Sequence, residues 1–434
     1  MLILVPEHIQ KKPNNMNIFI LRAFSERSFL YLWIGEVFTQ IATNLFNFFL
    51  ILVVYNLTQS NTAVSIAVLT FTLPAIFFGS IAGVLVDRWS KKKVLLVANF
   101  TRAIILVLFA FSLQNIVALY ILAFMFTIMV QFFIPAESPM IPLLVKEKLL
   151  LAANALFGLA IFGSMLIAYV LSGPLIIWLG PFKTSLFLAG LFIIGAAFIS
   201  LIRPHHHYKQ EELRTGKLEI LHDLKETFRF MSDTKEILRA LLMLSLSQIL
   251  VLTLATIAPG YAAQVLKIPV EQFPLIFVAP AAFGMVVGAV GLVNLFRNKP
   301  KEWMIRLGIL VSGIVMLVLP YASHVAAGET VQTLNSLLPA KFEITAILLL
   351  VGLAFMLGAA NALVFVPSNT ILQEKTSETL RGKMYGFLNT SVGVFSLIPI
   401  LLVGSLSDLI GVSNVIVGIG ITLLFLWISL IITK

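Results

Sequence analysis

Twelve long apolar segments dominate the sequence, and each is about as long as a helix that crosses a lipid bilayer. The segments are continuously apolar rather than alternating, which favours helices over the strands of a membrane barrel. They lie at 28–57, 62–86, 93–114, 116–136, 149–179, 183–202, 237–266, 272–296, 303–322, 344–371, 384–407 and 412–433. We therefore predict an all-α polytopic membrane protein with twelve transmembrane helices.

The composition excludes several other classes of protein. Of the 434 residues, 59% are hydrophobic and 12% are charged, whereas a soluble domain carries about twice that charged fraction. The chain contains no cysteine, which rules out disulfides and thiol chemistry. The net charge of +10 is typical of Lys-rich and Arg-rich cytoplasmic loops, so we expect no nucleic-acid partner.

A polar stretch near the middle divides the segments into two sets of six. Within it, 217–230 has the apolar spacing of an amphipathic helix lying along a membrane surface. The predicted regions are a cytoplasmic tail at 1–27, a six-helix bundle at 28–203, a linker at 204–236 and a second six-helix bundle at 237–434.

The positions of the basic residues predict the orientation of the chain. Of the 30 Lys and Arg residues, only Lys183, Lys267 and Lys341 lie in odd-numbered loops. The positive-inside rule then places both termini and the linker in the cytoplasm. The apolar start of the chain is too short for a signal peptide, so the first helix is expected to act as the uncleaved insertion signal.

The loop between the second and third segments, GVLVDRWSKKKVLL at 83–96, is densely charged. Its lysines and Arg88 are explained as topology anchors, but Asp87 is not, because acidic residues contribute little to orientation. Together with Gly83 one helical turn earlier, Asp87 therefore points to a further role for this loop.

These residues resemble a known signature. Gly83-x-Leu85-x-Asp87-Arg88, followed by a basic run, resembles the loop 2–3 motif of the major facilitator superfamily, although Ser90 stands where that family usually has glycine. The stretches FLYLWIGEVFTQIATNLF, IPAESPMIPLLVKEKLLLAANALF and LRGKMYGFLN resemble the bacterial exporter branch of macrolide-efflux and enterobactin-export proteins.

A second motif lies in the fifth segment. GSMLIAYVLSGP, with Gly163, Gly173 and Pro174, is similar to a Gly-Pro motif of antiporters in the same superfamily. The alternative is ordinary helix packing, because glycine and proline are common in membrane helices as close-contact and kink sites.

The resemblance implies two six-helix bundles around a central cavity, with substrate bound near the membrane midplane and access alternating between the two sides. It also implies a monomer in the bacterial inner membrane. Within this fold, Asp87 would end helix 2 beside the start of helix 11, where a carboxylate gains about 0.3–1 kcal/mol from the helix dipole. We predict a cytoplasmic latch there, formed by Gly83, Asp87, Arg88, Lys91, Lys92 and Arg381.

Helices 1, 4, 7 and 10 line the cavity in this superfamily. In the first segment, Glu36, Gln40, Asn44 and Asn47 are spaced by four, four and three residues and share one helical face. Polar groups avoid lipid, so this stripe faces either a cavity or a hydrogen-bonded seam between helices. Further candidates for the cavity lining are Gln131, Gln248 and Asn361.

The energy source follows from what the sequence contains. No GxxxxGK[ST] loop is present, which argues against ATP hydrolysis and leaves an ion gradient, most simply of protons. Glu36, Glu137 and Arg102 are ionisable residues within or at the ends of membrane segments, and Asp408 ends the eleventh. We predict that Glu36, Arg102 and Glu137 couple transport to protons through a Glu–Arg pair; the alternative is a structural salt bridge.

The sequence thus predicts a proton antiporter that exports amphiphilic or lipophilic small molecules. The alternatives are a lysophospholipid flippase or nutrient importer on the same fold, or a non-transporting receptor or assembly factor. No nucleophile–base pair or HExxH site is present, so we expect no enzyme activity, cofactor or metal. His205, His206 and His207 lie on a solvated linker and are interpreted as incidental.

Overall fold

The computed structural model of the chain describes residues 22–203, 235–292, 295–296, 298–322, 345–376 and 378–432. The amphipathic segment 217–230, the three linker histidines and most of the predicted tail and linker lie outside these residues. The boundaries of those two regions therefore stay predictions.

The first half of the chain forms six helical spans. They comprise α1 Arg27–Thr58, α2 Asn61–Arg88, α3 Lys91–Phe111, α4 Ile116–Glu137 and a long helix, Leu150–Ser200. Gly180 has a φ of 71°, which breaks that helix. We label its two limbs α5 (150–179) and α6 (181–200).

The second half repeats this arrangement with more π-helical turns. Its helices are α7 Lys235–Gly260, α8 Ala279–Val287, α9 Lys301–Val318, α10 Ala346–Lys375, α11 Glu378–Ile410 and α12 Val412–Ile432. The π-helical segment Tyr261–Leu266 extends α7, and Pro274–Val278 and Gly288–Leu292 flank α8.

Polar residues at the predicted breaks start the next helix. The side chains of Ser60, Asn115 and Thr345 accept hydrogen bonds from the first-turn amides of α2, α4 and α10. These are N-caps, which satisfy amide groups that have no partner inside the helix. The short polar breaks read from the sequence are therefore tight helix boundaries.

Eleven helices of the described chain are long and apolar enough to cross a membrane. One of them, 152–200, is 49 residues long, more than twice what a bilayer requires. Because Gly180 divides it, it provides two spans, and the predicted twelve transmembrane helices are confirmed. Large apolar side chains such as Phe77, Trp178 and Phe425 cover the outer surface, as expected for contact with lipid.

The helices pack as two bundles that touch along a seam. In the first half, α1 and α3 pack against the long helix Leu150–Ser200, and α2 packs against α4. In the second half, α10 contacts α7, α8 and α9, while α9 contacts α12. Between the halves, α2 packs against α11, and the segment that precedes α8 packs against the long helix.

The two ends of the molecule differ in how the halves meet. We call the end where α2 ends and α3 begins the basic end, and the end where α1 meets α2 the opposite end. At the opposite end, Asn56 bonds Glu271 and Asp408 bonds the start of α2, so the halves are joined. At the basic end, the ion pairs Lys301–Glu374 and Lys375–Glu236 each lie within the second half.

Candidate functional site

A cluster of charged side chains is buried within the first bundle. Glu36 of α1 is 0% exposed, Arg102 of α3 is 1% exposed and Glu137 at the end of α4 is 5% exposed. Charged side chains are rarely buried unless they have partners. The sequence picked out these three residues separately, and the structure brings them together.

Arg102 is held by hydrogen bonds and aromatic rings. Its guanidinium donates to the Asn99 side-chain oxygen (2.6 Å), the Ala98 carbonyl (3.1 Å) and the Thr43 hydroxyl (3.4 Å). It also lies 4.5 Å from the ring centroid of Phe133 and 4.7 Å from that of Phe192. A cation stacked between two rings in a dry site is held firmly, so Arg102 is a fixed positive charge.

The two glutamates face each other. The Glu137 carboxyl group lies within hydrogen-bonding reach of the Glu36 carboxyl group. Gln40 donates to Glu36 Oε1 at 2.7 Å, while Glu36 Oε2 and Glu137 Oε1 are buried oxygens without a hydrogen-bond partner. Two carboxylates in contact away from water do not both stay ionised. The pair is therefore a buried acidic site in which each carboxyl group has one oxygen without a partner.

The predicted Glu–Arg charge pair is compatible with these contacts, and its role in coupling stays a prediction. Arg102 interacts electrostatically with both Glu36 and Glu137, but its hydrogen bonds go to Asn99, Ala98 and Thr43. Glu36 accepts a hydrogen bond from Gln40 and lies against the Glu137 carboxyl group. Arg102 is thus a buried positive charge close to both carboxyl groups.

The polar stripe of α1 leads away from this pair. Asn44 donates to the Gln40 carbonyl at 2.8 Å, and Gln40 in turn donates to Glu36. Gln40, Asn44 and Asn47 are partly exposed, whereas Glu36 is fully buried. The Gln40 side chain thus joins the buried Glu36 to a partly exposed polar face of α1.

The other predicted lining residues divide into two groups. Gln131 is partly exposed and Gln248 is exposed, so their role in the cavity stays a prediction. Asn361 is buried, and it accepts a hydrogen bond from the Ser247 hydroxyl at 2.9 Å. This bond joins α7 to α10, and the role of Asn361 in the cavity lining stays a prediction.

Two lysines of the 83–96 loop, Lys91 and Lys92, cap the C-terminal ends of helices. Lys91 donates to the Val86 carbonyl at the end of α2 (2.7 Å), and Lys92 donates to the Ser200 and Ile202 carbonyls at the end of α6 (both 2.7 Å). Cations at helix C-termini are stabilising. Arg88 is exposed, and the side chains of Asp87 and Arg381 lie outside the described part, so the latch stays a prediction.

The glycines of the two motifs differ in their surroundings. A methyl group added at Gly173 would collide with the backbone carbonyl of Glu271 in the other half, whereas one added at Gly163 or Gly83 would meet no atom within 4 Å. Gly173 and the following Pro174 therefore lie at a close contact between α5 and the segment before α8. Gly83 and Gly163 are not close-packed in this arrangement.

This difference predicts the outcome of a matched pair of substitutions. Gly173→Val should force the halves apart at the opposite end, because the clash is with backbone that cannot rotate away. Gly163→Val on the same helix should be tolerated. Cysteine crosslinking between residues 57 and 272 in the two variants measures the separation. Equal crosslinking in both would contradict the close contact.

Several residues of the site escaped sequence reasoning. Asn99, Phe133 and Phe192 surround Arg102, but an asparagine and two phenylalanines inside membrane helices carry no individual signal. Ser247 was missed for the same reason. Within the described residues, no group of three or more His, Cys, Asp or Glu side chains could hold a metal ion.

The fold and this buried ionisable cluster define a polytopic membrane transporter. The family model of the Major Facilitator Superfamily matches residues 32–334. The chain therefore belongs to the major facilitator superfamily, as its loop 2–3 motif suggested.

Relatives of known sequence support the same assignment. The uncharacterized MFS-type transporter YfiS of Bacillus subtilis (strain 168) is 21% identical over 391 residues, which cover 89% of this chain and 88% of YfiS. The uncharacterized MFS-type transporter YkuC of the same organism is 22% identical over 319 residues, which cover 69% of this chain and 72% of YkuC.

Solved structures share the fold. The nucleoside transporter NupG has a TM-score of 0.70 at 13% identity, covering 93% of this chain and 99% of NupG. A bacterial homologue of the human lysosomal transporter Spinster, in an inward-facing and occupied conformation, has a TM-score of 0.72 at 11% identity, covering 94% of this chain and 97% of the homologue. At these identities the likeness concerns the fold alone.

Proposed function

We propose that this protein is a secondary active transporter that exports amphiphilic or lipophilic small molecules in exchange for protons. The observation that carries the proposal is the buried Glu36–Glu137 pair, in which each carboxyl group has one oxygen without a partner. One proton shared by the pair would satisfy both oxygens. Ionisable residues inside a membrane bundle are costly and typically mark proton relays or ion pathways. The sequence contains no GxxxxGK[ST] loop for ATP hydrolysis, which leaves an ion gradient as the energy source.

The coupling mechanism follows from the contacts of the pair. In the present arrangement Glu36 is sealed from solvent, so the shared proton is occluded. Antiport then requires that water reach the pair from the basic end as substrate binds, so that the proton leaves to the cytoplasm before the halves rearrange. Loss of the proton changes the bond that Glu36 Oε1 accepts from Gln40, which transmits the protonation state to the polar stripe.

The chemistry of the stripe supports the substrate class. Gln40, Asn44 and Asn47 present neutral amide groups, which bind polar substituents without demanding charge. Arg102 is stacked between rings and sealed from solvent, so it does not offer an anion site. These features suit an amphiphilic molecule better than a polyanion.

The proposed setting is the bacterial inner membrane, with the protein acting as a monomer. The basic end would face the cytoplasm, and both termini would lie there, because the loops at that end hold nearly all lysines and arginines. Closure at the opposite end then corresponds to an inward-facing state. An exporter in this state is ready to take substrate from the cytoplasmic side.

Proton flux in reconstituted liposomes tests the proposal. The purified protein is placed in liposomes with a trapped pH dye and an imposed proton gradient, and lipophilic cations, macrolides, siderophores and lysolipids are added in turn. Export by antiport predicts proton flux that depends on one of these classes. Movement of a compound without protons would replace antiport by a flippase or uniporter mechanism, and no movement at all would favour a receptor.

The predicted cytoplasmic latch gives a separate prediction. Asp87→Asn should insert normally and transport poorly, because the neutral side chain loses the charge interaction with the start of helix 11 and the outward-facing state is less populated. Transport and surface expression are measured together, with Lys93→Gln, an exposed residue of the same loop outside the predicted latch, as the control. Full transport by Asp87→Asn at equal expression would contradict the latch.

A further inference from the structure

Asp408, at the end of α11, lies against the first residues of α2 in the other half of the molecule. Its two carboxylate oxygens accept five hydrogen bonds. The donors are the Ser60 hydroxyl (2.7 Å), the Asn61 amide (2.8 Å) and side chain (2.9 Å), and the Thr62 amide (2.9 Å) and hydroxyl (2.7 Å).

Asp408, which belongs to the other bundle, accepts hydrogen bonds from the free amide groups at the N-terminus of α2. The first amides of a helix have no partner within the helix, and the helix dipole makes this end positive. A carboxylate that accepts charge-assisted bonds from two of these amides is held strongly. Ser60 also accepts a hydrogen bond from the Ala63 amide. The N-terminus of α2 is therefore stabilised both by its own N-cap and by Asp408.

The contact between α2 and α11 is closely packed around Asp408. A methyl group added at Gly404, one turn before Asp408, would collide with Ser65 of α2, and the Ser65 hydroxyl donates to the Ile400 carbonyl at 2.9 Å. Gly260 of α7 is in similarly close contact with Asn61. Opening this end of the molecule therefore requires the Asp408 bonds to break.

The other end of the same helix pair is arranged differently. The predicted latch joins the C-terminus of α2, at Asp87, to the N-terminus of α11. At Gly83, the residue expected to permit close approach there, an added methyl group would meet no atom within 4 Å. With the predicted latch in place, the α2–α11 pair would have an acidic residue at each end, each beside the N-terminus of the partner helix.

We infer that Asp408 is a second latch, which holds the halves together at the opposite end and releases when access switches sides. Asp408 and Asp87 would then act alternately, one closing each end. Asp408 is a positioning residue that does not contact substrate. The inference rests on the alternating-access part of the proposed function and is independent of proton coupling.

Distances between spin labels test the inference directly. Because the chain has no cysteine, pairs can be introduced without background, at Leu57 and Gln272 for the opposite end and at Lys93 and Asn298 for the basic end. Double electron–electron resonance in lipid nanodiscs then reports the separation of the halves at each end. Asp408→Asn should raise the ratio of open to closed molecules at the opposite end roughly tenfold, with closure at the basic end.

A matched control is Glu271→Gln, which alters the single bond to Asn56 at the same end and should shift this ratio much less. Thr62→Val removes one hydrogen-bond donor to Asp408 and keeps the shape of the side chain. It should shift the ratio of open to closed molecules in the same direction as Asp408→Asn, and it replaces that variant in the test if Asp408→Asn does not fold. Unchanged distances in both variants, with only a lower melting temperature, would show that Asp408 is merely a structural cap and would overturn the inference.

Discussion

Glu36→Gln is expected to abolish substrate-dependent proton flux while leaving the protein folded. Glutamine keeps the shape of the side chain and can still accept the Gln40 bond at Oε1, but it cannot share a proton with Glu137. Glu137→Gln should have the same effect, and the double variant should be no worse than either single one, because residues that act as a unit are not additive. The liposome flux assay measures all three.

The control for this prediction is Glu302→Gln, which neutralises an exposed carboxylate at the start of α9 and should leave flux unchanged. A Glu36→Gln variant that retained the proton flux and pH dependence of the wild type would remove Glu36 from the coupling mechanism. If only Glu137→Gln lost flux, the proton would be carried by Glu137 alone rather than by the pair.

Arg102→Leu should strongly destabilise the first bundle. It removes the charge that balances the carboxyl pair and leaves the Asn99 side-chain oxygen without its donor. Removing one partner of a buried charge network typically costs about 3–5 kcal/mol. Thermal unfolding in detergent, followed by tryptophan fluorescence, measures the loss. Arg88→Leu, at an exposed position, is the control and should unfold as the wild type does.

A second variant isolates the electrostatic part of this effect. Adding Glu137→Gln to Arg102→Leu removes the excess negative charge and should restore part of the lost stability, because the remaining cluster is then neutral when Glu36 is protonated. If the double variant were less stable than Arg102→Leu alone, packing of the guanidinium between Phe133 and Phe192 would account for the whole effect.

Most of the fold could be predicted from the sequence. Apolar runs of membrane-spanning length fix the number of helices, and breaks such as 56–61 and 113–115 coincide with the caps at Ser60 and Asn115. Even the break between α5 and α6 follows from Gly180 and the proline after it. Each of these signals is local in the chain, which is why it could be read without tertiary information.

The contacts of the site could be predicted only in part. Glu36, Arg102 and Glu137 stand out because charge is rare inside membrane helices. Their pairing depends on how α1, α3 and α4 are rotated and shifted against one another, which no single segment encodes. For the same reason, the sequence could suggest a Glu–Arg charge pair but could not show that the two carboxyl groups also lie against each other.

Asp408 illustrates a further limit. Its position at the end of the eleventh segment was visible, but its five donors lie nearly 350 positions earlier in the chain, at the start of α2. Only the packing of α2 against α11 makes them neighbours. Under the proposed alternating access, contacts across the two halves are also those that change, so one sequence pattern must serve more than one arrangement.

Infrared titration of the purified protein tests the central claim, a proton shared by Glu36 and Glu137, without knowledge of the substrate. The carbonyl-stretching band of a protonated carboxyl group is followed from acidic to alkaline pH in lipid nanodiscs. We predict a band in the wild type that is missing from both Glu36→Gln and Glu137→Gln. A band unchanged in either variant would contradict the shared proton.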